Sequence, residues 1–128
     1  MAERNAAVVF TGSAADREAT GRIRGMMRQP ATDWTWETTL KELAALARLA
    51  ELFITTDTGP MLLAAAAGGR VVALFGPTAP WRTGPYGKGH VVVRAGTDCS
   101  PCFGRDCERG IRCMEDITVA MVMEKLPL

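Results

Sequence analysis

The residues Asp57-Thr58-Gly59-Pro60-Met61 bring together a carboxylate, a hydroxyl, a glycine and a proline in an order that could hold a phosphate. The apolar run Leu52-Phe53-Ile54-Thr55-Thr56 leads into them, and a small-residue stretch closed by Gly68-Gly69 follows. That order predicts a strand over 52–56, a tight turn over 57–60 and a helix from Met61 to Ala67. Such a junction gathers backbone N–H groups that lack helical partners beside the positive end of a helix dipole, which suits an anion. The amides around Thr58, Gly59 and Met61 are the candidate donors, and the Thr58 hydroxyl is one more. Pro60 fits an early helical position, because its missing N–H would find no partner there. Asp57 cannot attract a phosphate by charge. The plainer reading of the same residues is a strand-to-helix turn in which Asp57 or Thr58 only caps the helix.

A second chemistry is suggested by the cysteines. Cys99 and Cys102 form a Cys-x2-Cys pair, and Cys107 and Cys113 follow. Four thiolates in one short loop could hold a structural zinc ion, but the second tight knuckle of such sites is absent. Reduced packing thiols or a labile disulfide are the alternatives. No metal is assigned. Trp34, Trp36 and Trp81 could stack on a ring, although isolated tryptophans more often cover the edge of a core. His90, the one histidine, has no obvious partner, so a general-base role is not assigned to it. Met121 and Met123 read as helix packing.

The elements that must position these residues alternate. Ala6 to Phe10 reads as a buried strand and Thr11-Gly12-Ser13 as a turn. Ser13 and Asp16 suit a variant capping box for a helix reaching about Met27, with Ile23, Met26 and Met27 on one side. Residues 33–36 are a short strand or an ordered loop. Thr39 and Glu42 form a capping box for a helix from Leu40 to about Ala50, lined by Leu40, Leu43, Ala44 and Ala47. Arg70 to Phe75 and His90 to Arg94 are strands. The run Val71-Val72-Ala73-Leu74 is apolar enough to be covered on both faces, as in a parallel sheet. Gly76-Pro77-Thr78-Ala79-Pro80 is a loop, residues 81–89 are irregular, and a last helix starts at Thr118 with Ile117 and Val122 as a hydrophobic staple. This alternation predicts an α/β fold, a Rossmann-like parallel sheet with flanking helices, in which ligands bind beyond the carboxyl ends of the strands. The turns at 11–13, 57–60 and 76–80 belong to that edge.

Composition narrows the field. The chain has 128 residues, 48% of them apolar and 23% charged, which suits one modest domain over 1–128 with a real core and a cysteine-rich loop at 97–114. Fifteen basic residues against 14 acidic ones leave a net charge of +1, and they form no basic stripe, so nucleic-acid binding is not expected. No run reaches the roughly 18 apolar residues of a membrane span. The opening Met1-Ala2-Glu3-Arg4-Asn5 lacks the apolar core of a secretory signal, and with the clustered cysteines it leads us to expect a cytoplasmic protein.

At this point the ordered series of motifs resembles a known family. Asp57-Thr58-Gly59-Pro60-Met61 with Leu63-Ala64-Ala65-Ala66, then Val72-Ala73-Leu74-Phe75-Gly76-Pro77-Thr78 and Pro80, then Gly84-Pro85-Tyr86-Gly87, is similar to glycosyltransferase family 9. The heptosyltransferases of lipopolysaccharide core assembly belong there. Cys99-Ser100-Pro101-Cys102, Cys107, Cys113-Met114 and Asp116-Ile117 are similar to many such members, and the likeness runs from about Val8 to Leu126.

The resemblance implies a two-domain GT-B enzyme that transfers heptose from a donor such as ADP-heptose to the lipopolysaccharide core, at the inner face of the cytoplasmic membrane, with no cofactor. This chain resembles only the later part of the donor-binding, C-terminal domain. The acceptor domain with its catalytic carboxylate has no counterpart here, so no catalytic residue is assigned. The first strand and helix of the donor domain, with a lysine for the phosphates, also have none. In a 3-2-1-4-5-6 sheet that first strand is central. Its loss either exposes two unpaired edges or makes strands 7–10 and 52–56 pair directly. The resemblance further implies that Asp57, Thr58, Gly59, Pro60 and Met61 contact the donor, with Asp57 ordering the loop or touching the sugar. Asp16 and Glu18 lie where the family contacts the ribose; their plainer role is to complement the dipole of their own helix. Gly76 and Thr78 sit on a second loop that either faces ligand or merely turns the chain. Leu62 stands where many members have histidine, and leucine cannot donate a hydrogen bond; the plainer reading is a tolerated side chain packed inward. A non-catalytic nucleotide-binding or interaction module, with or without zinc, is the alternative function.

Overall fold

The computed structural model describes residues 5–127; Met1–Arg4, most of the charged opening segment, and Leu128 lie outside the described residues. The chain forms two compact units that divide between Leu43 and Ala44, inside one helix, and each has its own sheet.

In the first unit β1 (Val9–Phe10) pairs in parallel with β2 (Thr32–Asp33), Val9 against Thr32 and Phe10 against Asp33. The chain leaves β1 through Gly12, takes one 3-10 turn over Ala14–Asp16 and enters α1 (Arg17–Met26). Asp16 organises that entry, its Oδ2 accepting from the Ser13 N–H at 2.7 Å and the Ser13 hydroxyl at 2.9 Å. Gly12 makes room, since a Cβ there would lie 2.8 Å from the same oxygen. The expected apolar side of α1 is not buried. Met26 is 77% exposed and Ile23 44%, and the buried residue of the helix is Thr20, whose hydroxyl meets that of buried Thr35 at 3.3 Å. Two strands of two residues each offer too narrow a surface to cover a helical stripe. An ion pair from Arg24 to Asp33 (3.3 Å) ties α1 to β2. α2 (Leu40–Leu49) starts with the expected capping box: the Thr39 N–H donates to Glu42 Oε2 at 2.6 Å and the Glu42 N–H to Thr39 Oγ1 at 3.2 Å.

The second unit holds a parallel three-stranded sheet in the order β3 (Phe53–Thr56), β4 (Val71–Phe75), β5 (Val91–Arg94). Its core is Ala47 of α2, Met61 and Ala64 of α3 (Gly59–Ala66), and Val71, Ala73 and Phe75 of β4, with Phe53 and Val92 packed against them. The alternate residues 71, 73 and 75 therefore face α3, as the period of a strand requires. Burying Phe75 alone stabilises the unit by about 2 to 3 kcal/mol. Gly69 lets the turn after α3 pass close to α2: a Cβ there would lie 2.6 Å from the Ala47 carbonyl oxygen.

β3 is an edge strand. Its Phe53 N–H donates toward β4, to the Arg70 carbonyl at 2.8 Å, so Ile54 and Thr56 direct their backbone groups to the other side. Among the described residues no strand pairs with that side. β1 likewise has β2 as its sole strand partner among the described residues. Of the two arrangements expected for this sheet, unpaired edges are the one found.

Two helices arise where loops were expected. α4 (Pro80–Thr83) is one turn opened by its own proline, and α5 (Arg112–Glu115) follows Ile111, whose φ of 51° is left-handed. α6 (Val119–Lys125) starts as expected, the Thr118 hydroxyl accepting from the Met121 N–H at 3.2 Å. No helix among the described residues is long and apolar enough to cross a membrane.

Candidate site at the β3–α3 turn

β3 and β4 run parallel, so the turn after β3 and the loop after β4 leave the sheet at the same edge. Both belong to the second unit. α3 opens two residues earlier than the sequence predicts: Thr58 is its extended N-cap (φ −143°, ψ 170°), and Gly59 and Pro60 are its first helical residues. An N-cap threonine usually turns its hydroxyl onto its own helix. Here it does not. The Thr58 hydroxyl donates back to the Thr56 carbonyl at 3.3 Å and lies 3.4 Å from the Thr55 hydroxyl. Among the described residues, the amides of Thr58 and Gly59 have no protein partner.

Met61 differs from its two neighbours. Its N–H donates to the Thr58 carbonyl at 3.1 Å and its side chain is fully buried in the core. Both its amide and its side chain are thus engaged inside the protein, which suits a packing role. Pro60 contributes ring geometry and no donor. Leu62 is 49% exposed, so it does not pack inward.

Asp57 Oδ2 accepts from the Thr83 hydroxyl at 3.1 Å, which ties the turn to α4. α4 in turn meets the cysteine loop, with the Arg82 guanidinium 5.2 Å from the centre of the Phe103 ring. The Arg94 guanidinium sits 5.3 Å over Trp81. Trp81 is 68% exposed, so its ring serves as a platform for that cation and not as core cover.

The loop after β4 is held by the same cysteine segment. The Pro77 carbonyl accepts from the amides of Cys102 (3.0 Å) and Phe103 (2.7 Å), and the Gly76 carbonyl accepts from the Ser100 hydroxyl. Gly76 is buried, and a Cβ there would lie 2.5 Å from Met114 Sδ and 3.2 Å from Cys113 Sγ. Its missing side chain therefore serves the seating of α5. Thr78 is half-buried. Asp16 and Glu18 lie in the first unit. Asp16 is engaged by Ser13, whose backbone N–H and hydroxyl hold its carboxyl below the usual carboxylate range. Glu18 is exposed in the first turn of α1.

All four cysteines are free thiols. Cys113 is buried; burial, and then the charges of Cys99, Cys107 and Cys102, push its thiol up. Among the described residues no three His, Cys, Asp or Glu side chains are arranged to hold a metal ion. The segment is pinned instead by Arg109, which donates to Asp98 at 2.8 Å. Arg109 and Asp98 line a groove of about 510 Å³ with Thr97, Arg112 and Asp116. Sequence reading found no partner for His90, yet it has two. Its Nδ1 accepts from the Val71 N–H at 3.2 Å, so its Nε2 carries the proton and donates to the Tyr86 carbonyl at 3.0 Å. That pair fastens the irregular 84–90 segment to the start of β4.

A family model described as "Glycosyltransferase family 9 (heptosyltransferase)" matches residues 1–111. Lipooligosaccharide heptosyltransferase 2 of Campylobacter jejuni is 35% identical over 91 residues, 70% of this chain and 28% of that protein. Lipopolysaccharide heptosyltransferase 2 of Escherichia coli is 32% identical over 124 residues, 93% of this chain and 36% of that protein. Among solved structures, a family 9 glycosyl transferase from Veillonella parvula superposes with a TM-score of 0.82 at 26% identity, over 96% of this chain and 36% of that one. The E. coli ADP-heptose lipopolysaccharide heptosyltransferase II gives 0.66 at 27% identity, over 92% and 37%. The chain thus spans about a third of the length of these relatives. On the family match, and with the parallel sheets and flanking helices that its structural neighbours share, this chain belongs to glycosyltransferase family 9, the heptosyltransferase family.

Proposed function

We propose that this chain is part of the donor-binding half of a GT-B heptosyltransferase, and that the β3–α3 turn holds the diphosphate of an ADP-heptose-like donor. One observation carries the reading: among the described residues, the Thr58 and Gly59 amides have no protein partner. Two such N–H groups at the positive end of a helix suit a diphosphate oxygen. In the transfer step they stabilise the charge that develops on the departing diphosphate, as donors fixed in advance of the reaction. The anomeric carbon is displaced directly by an acceptor hydroxyl of the lipopolysaccharide core. The base that takes its proton comes from outside this chain, and no cofactor is assigned. Support also comes from the relatives named above, which are called lipopolysaccharide or lipooligosaccharide heptosyltransferases. Catalysis of this kind belongs in the cytoplasm, against the inner membrane.

Isothermal titration with ADP and with ADP-heptose tests the reading. Saturable binding of both, weakened when the Gly59 amide is removed in Gly59→Pro, is the expected result. A chain that ignores both nucleotides refutes it. The exposed Leu62 favours a second reading, a nucleotide-binding module without catalysis. Binding with no heptose transfer, even after an acceptor-binding half is supplied, selects that reading.

A further inference from the structure

Resting on the donor reading above, we propose that Thr83 is a positioning residue, which keeps the anion site open by holding the Asp57 carboxylate off the Gly59 amide. An aspartate two residues before a free N–H tends to accept from it, closing an Asx-turn. This chain does so elsewhere: Asp33 Oδ1 accepts from the Thr35 N–H at 2.9 Å. Asp57 and Gly59 have the same spacing, yet their bond is not formed. Asp57 Oδ2 instead accepts from Thr83 on α4. The Thr83 hydroxyl carries a single proton and has a second acceptor in reach, the Ala79 carbonyl at 3.3 Å. The charged oxygen, at 3.1 Å, is the stronger acceptor and takes the proton. α4 also contacts the cysteine loop, with the Arg82 guanidinium 5.2 Å from the centre of the Phe103 ring.

Without the Thr83 hydroxyl the carboxylate rotates onto Gly59 and self-caps α3. It then occupies one of the two amides offered to the diphosphate and sets a negative charge beside the other. The Thr83 residue acts through Asp57 and touches no ligand.

The test is calorimetric titration of ADP, which carries the diphosphate but no sugar, into the 128-residue chain and its variants. Thr83→Val should weaken ADP binding about tenfold or more, and Thr83→Ser should keep it within about twofold. Adding Asp57→Ala to Thr83→Val should restore most of the loss, since it removes the competing carboxylate. A merely structural role for Thr83 predicts no such restoration. In parallel, the Gly59 amide resonance of ligand-free Thr83→Val should move as a carboxylate bond forms, and this readout needs no ligand. Equal ADP affinity in Thr83→Val and the unaltered chain overturns the inference and leaves the donor reading standing. A loss that Asp57→Ala does not repair, or an unmoved Gly59 resonance, also overturns it. An unaltered chain that does not bind ADP ends the donor reading and the inference with it.

Discussion

Replacing Gly69 by alanine adds one methyl group at the most constrained crossing of the second unit. The new Cβ would lie 2.6 Å from the Ala47 carbonyl oxygen, 3.1 Å from the Ala47 carbonyl carbon and 3.1 Å from the Ala64 carbonyl oxygen. All three are backbone atoms, so no side chain can swing away. Relief needs a shift of α2, of α3 or of the lead into β4. Ala47 and Ala64 are core residues, exposed by 0% and 1%, and Val71 at the start of β4 is fully buried. The Gly69 N–H also donates to the Ala64 carbonyl at 2.9 Å, a bond the shift would stretch. Overpacking of this type costs about 1 to 3 kcal/mol. For a chain of this size that lowers the melting temperature by about 5 to 10 °C. Thermal unfolding followed by circular dichroism is the assay, with amide exchange at Ala47 and Val71 to localise the damage. Gly25→Ala is the matched control, because a Cβ there meets nothing within 4 Å on an exposed helix. It should stabilise α1 by about 0.5 to 1 kcal/mol. A Gly69→Ala chain that melts within about 1 °C of the unaltered one, with unchanged exchange at both amides, would refute the packing argument.

Acid should loosen the helix starts of the first unit before the sheet of the second. The Thr39 backbone N–H and then its hydroxyl hold the Glu42 carboxyl below its usual range, and Ser13 does the same for Asp16. Groups lowered on folding stabilise above the ordinary carboxylate value, and that stabilisation is lost as pH falls through the folded value, here from about pH 5 downward. Amide exchange at Asp16 and Leu43 should rise over that window in the unaltered chain, and Glu42→Gln should flatten the response at Leu43. Alkylation followed by peptide mass spectrometry should label exposed Cys102 first and buried Cys113 last, since the thiolate is the reacting form and burial disfavours it at Cys113. Equal labelling of the two would contradict the seating of α5 against Gly76.

Short-range signals carried most of the secondary structure. The capping boxes at Ser13 and Thr39, the cap at Thr118 and the apolar strand 71–75 are local patterns, and each stands where the sequence put it. What the sequence hid was set by partners far along the chain. Met26 reads as core by helical spacing, yet β1 and β2 are too short to cover it. α4 lay inside a Gly- and Pro-rich stretch, where Pro80 opens a helix instead of a loop. His90 showed no partner because both of its bonds go to backbone atoms, 19 and four residues away. At the candidate site, the turn itself was legible from Asp57 to Pro60. The direction of the Thr58 hydroxyl, the engagement of the Met61 amide and the bond from Thr83 to Asp57 were not, since each depends on rotamers or on a contact 26 residues away.

The edge of β3 that no strand pairs with among the described residues predicts behaviour that depends on concentration. Ile54, 43% exposed, lies on a strand with neither lysine nor proline to blunt it. Natural sheets usually guard such margins, because any extended polypeptide can lay itself along them through main-chain bonds alone. Crowded together, copies of this unit will tend to recruit one another there. Dilution, or a short designed peptide that caps the rim, should keep them apart.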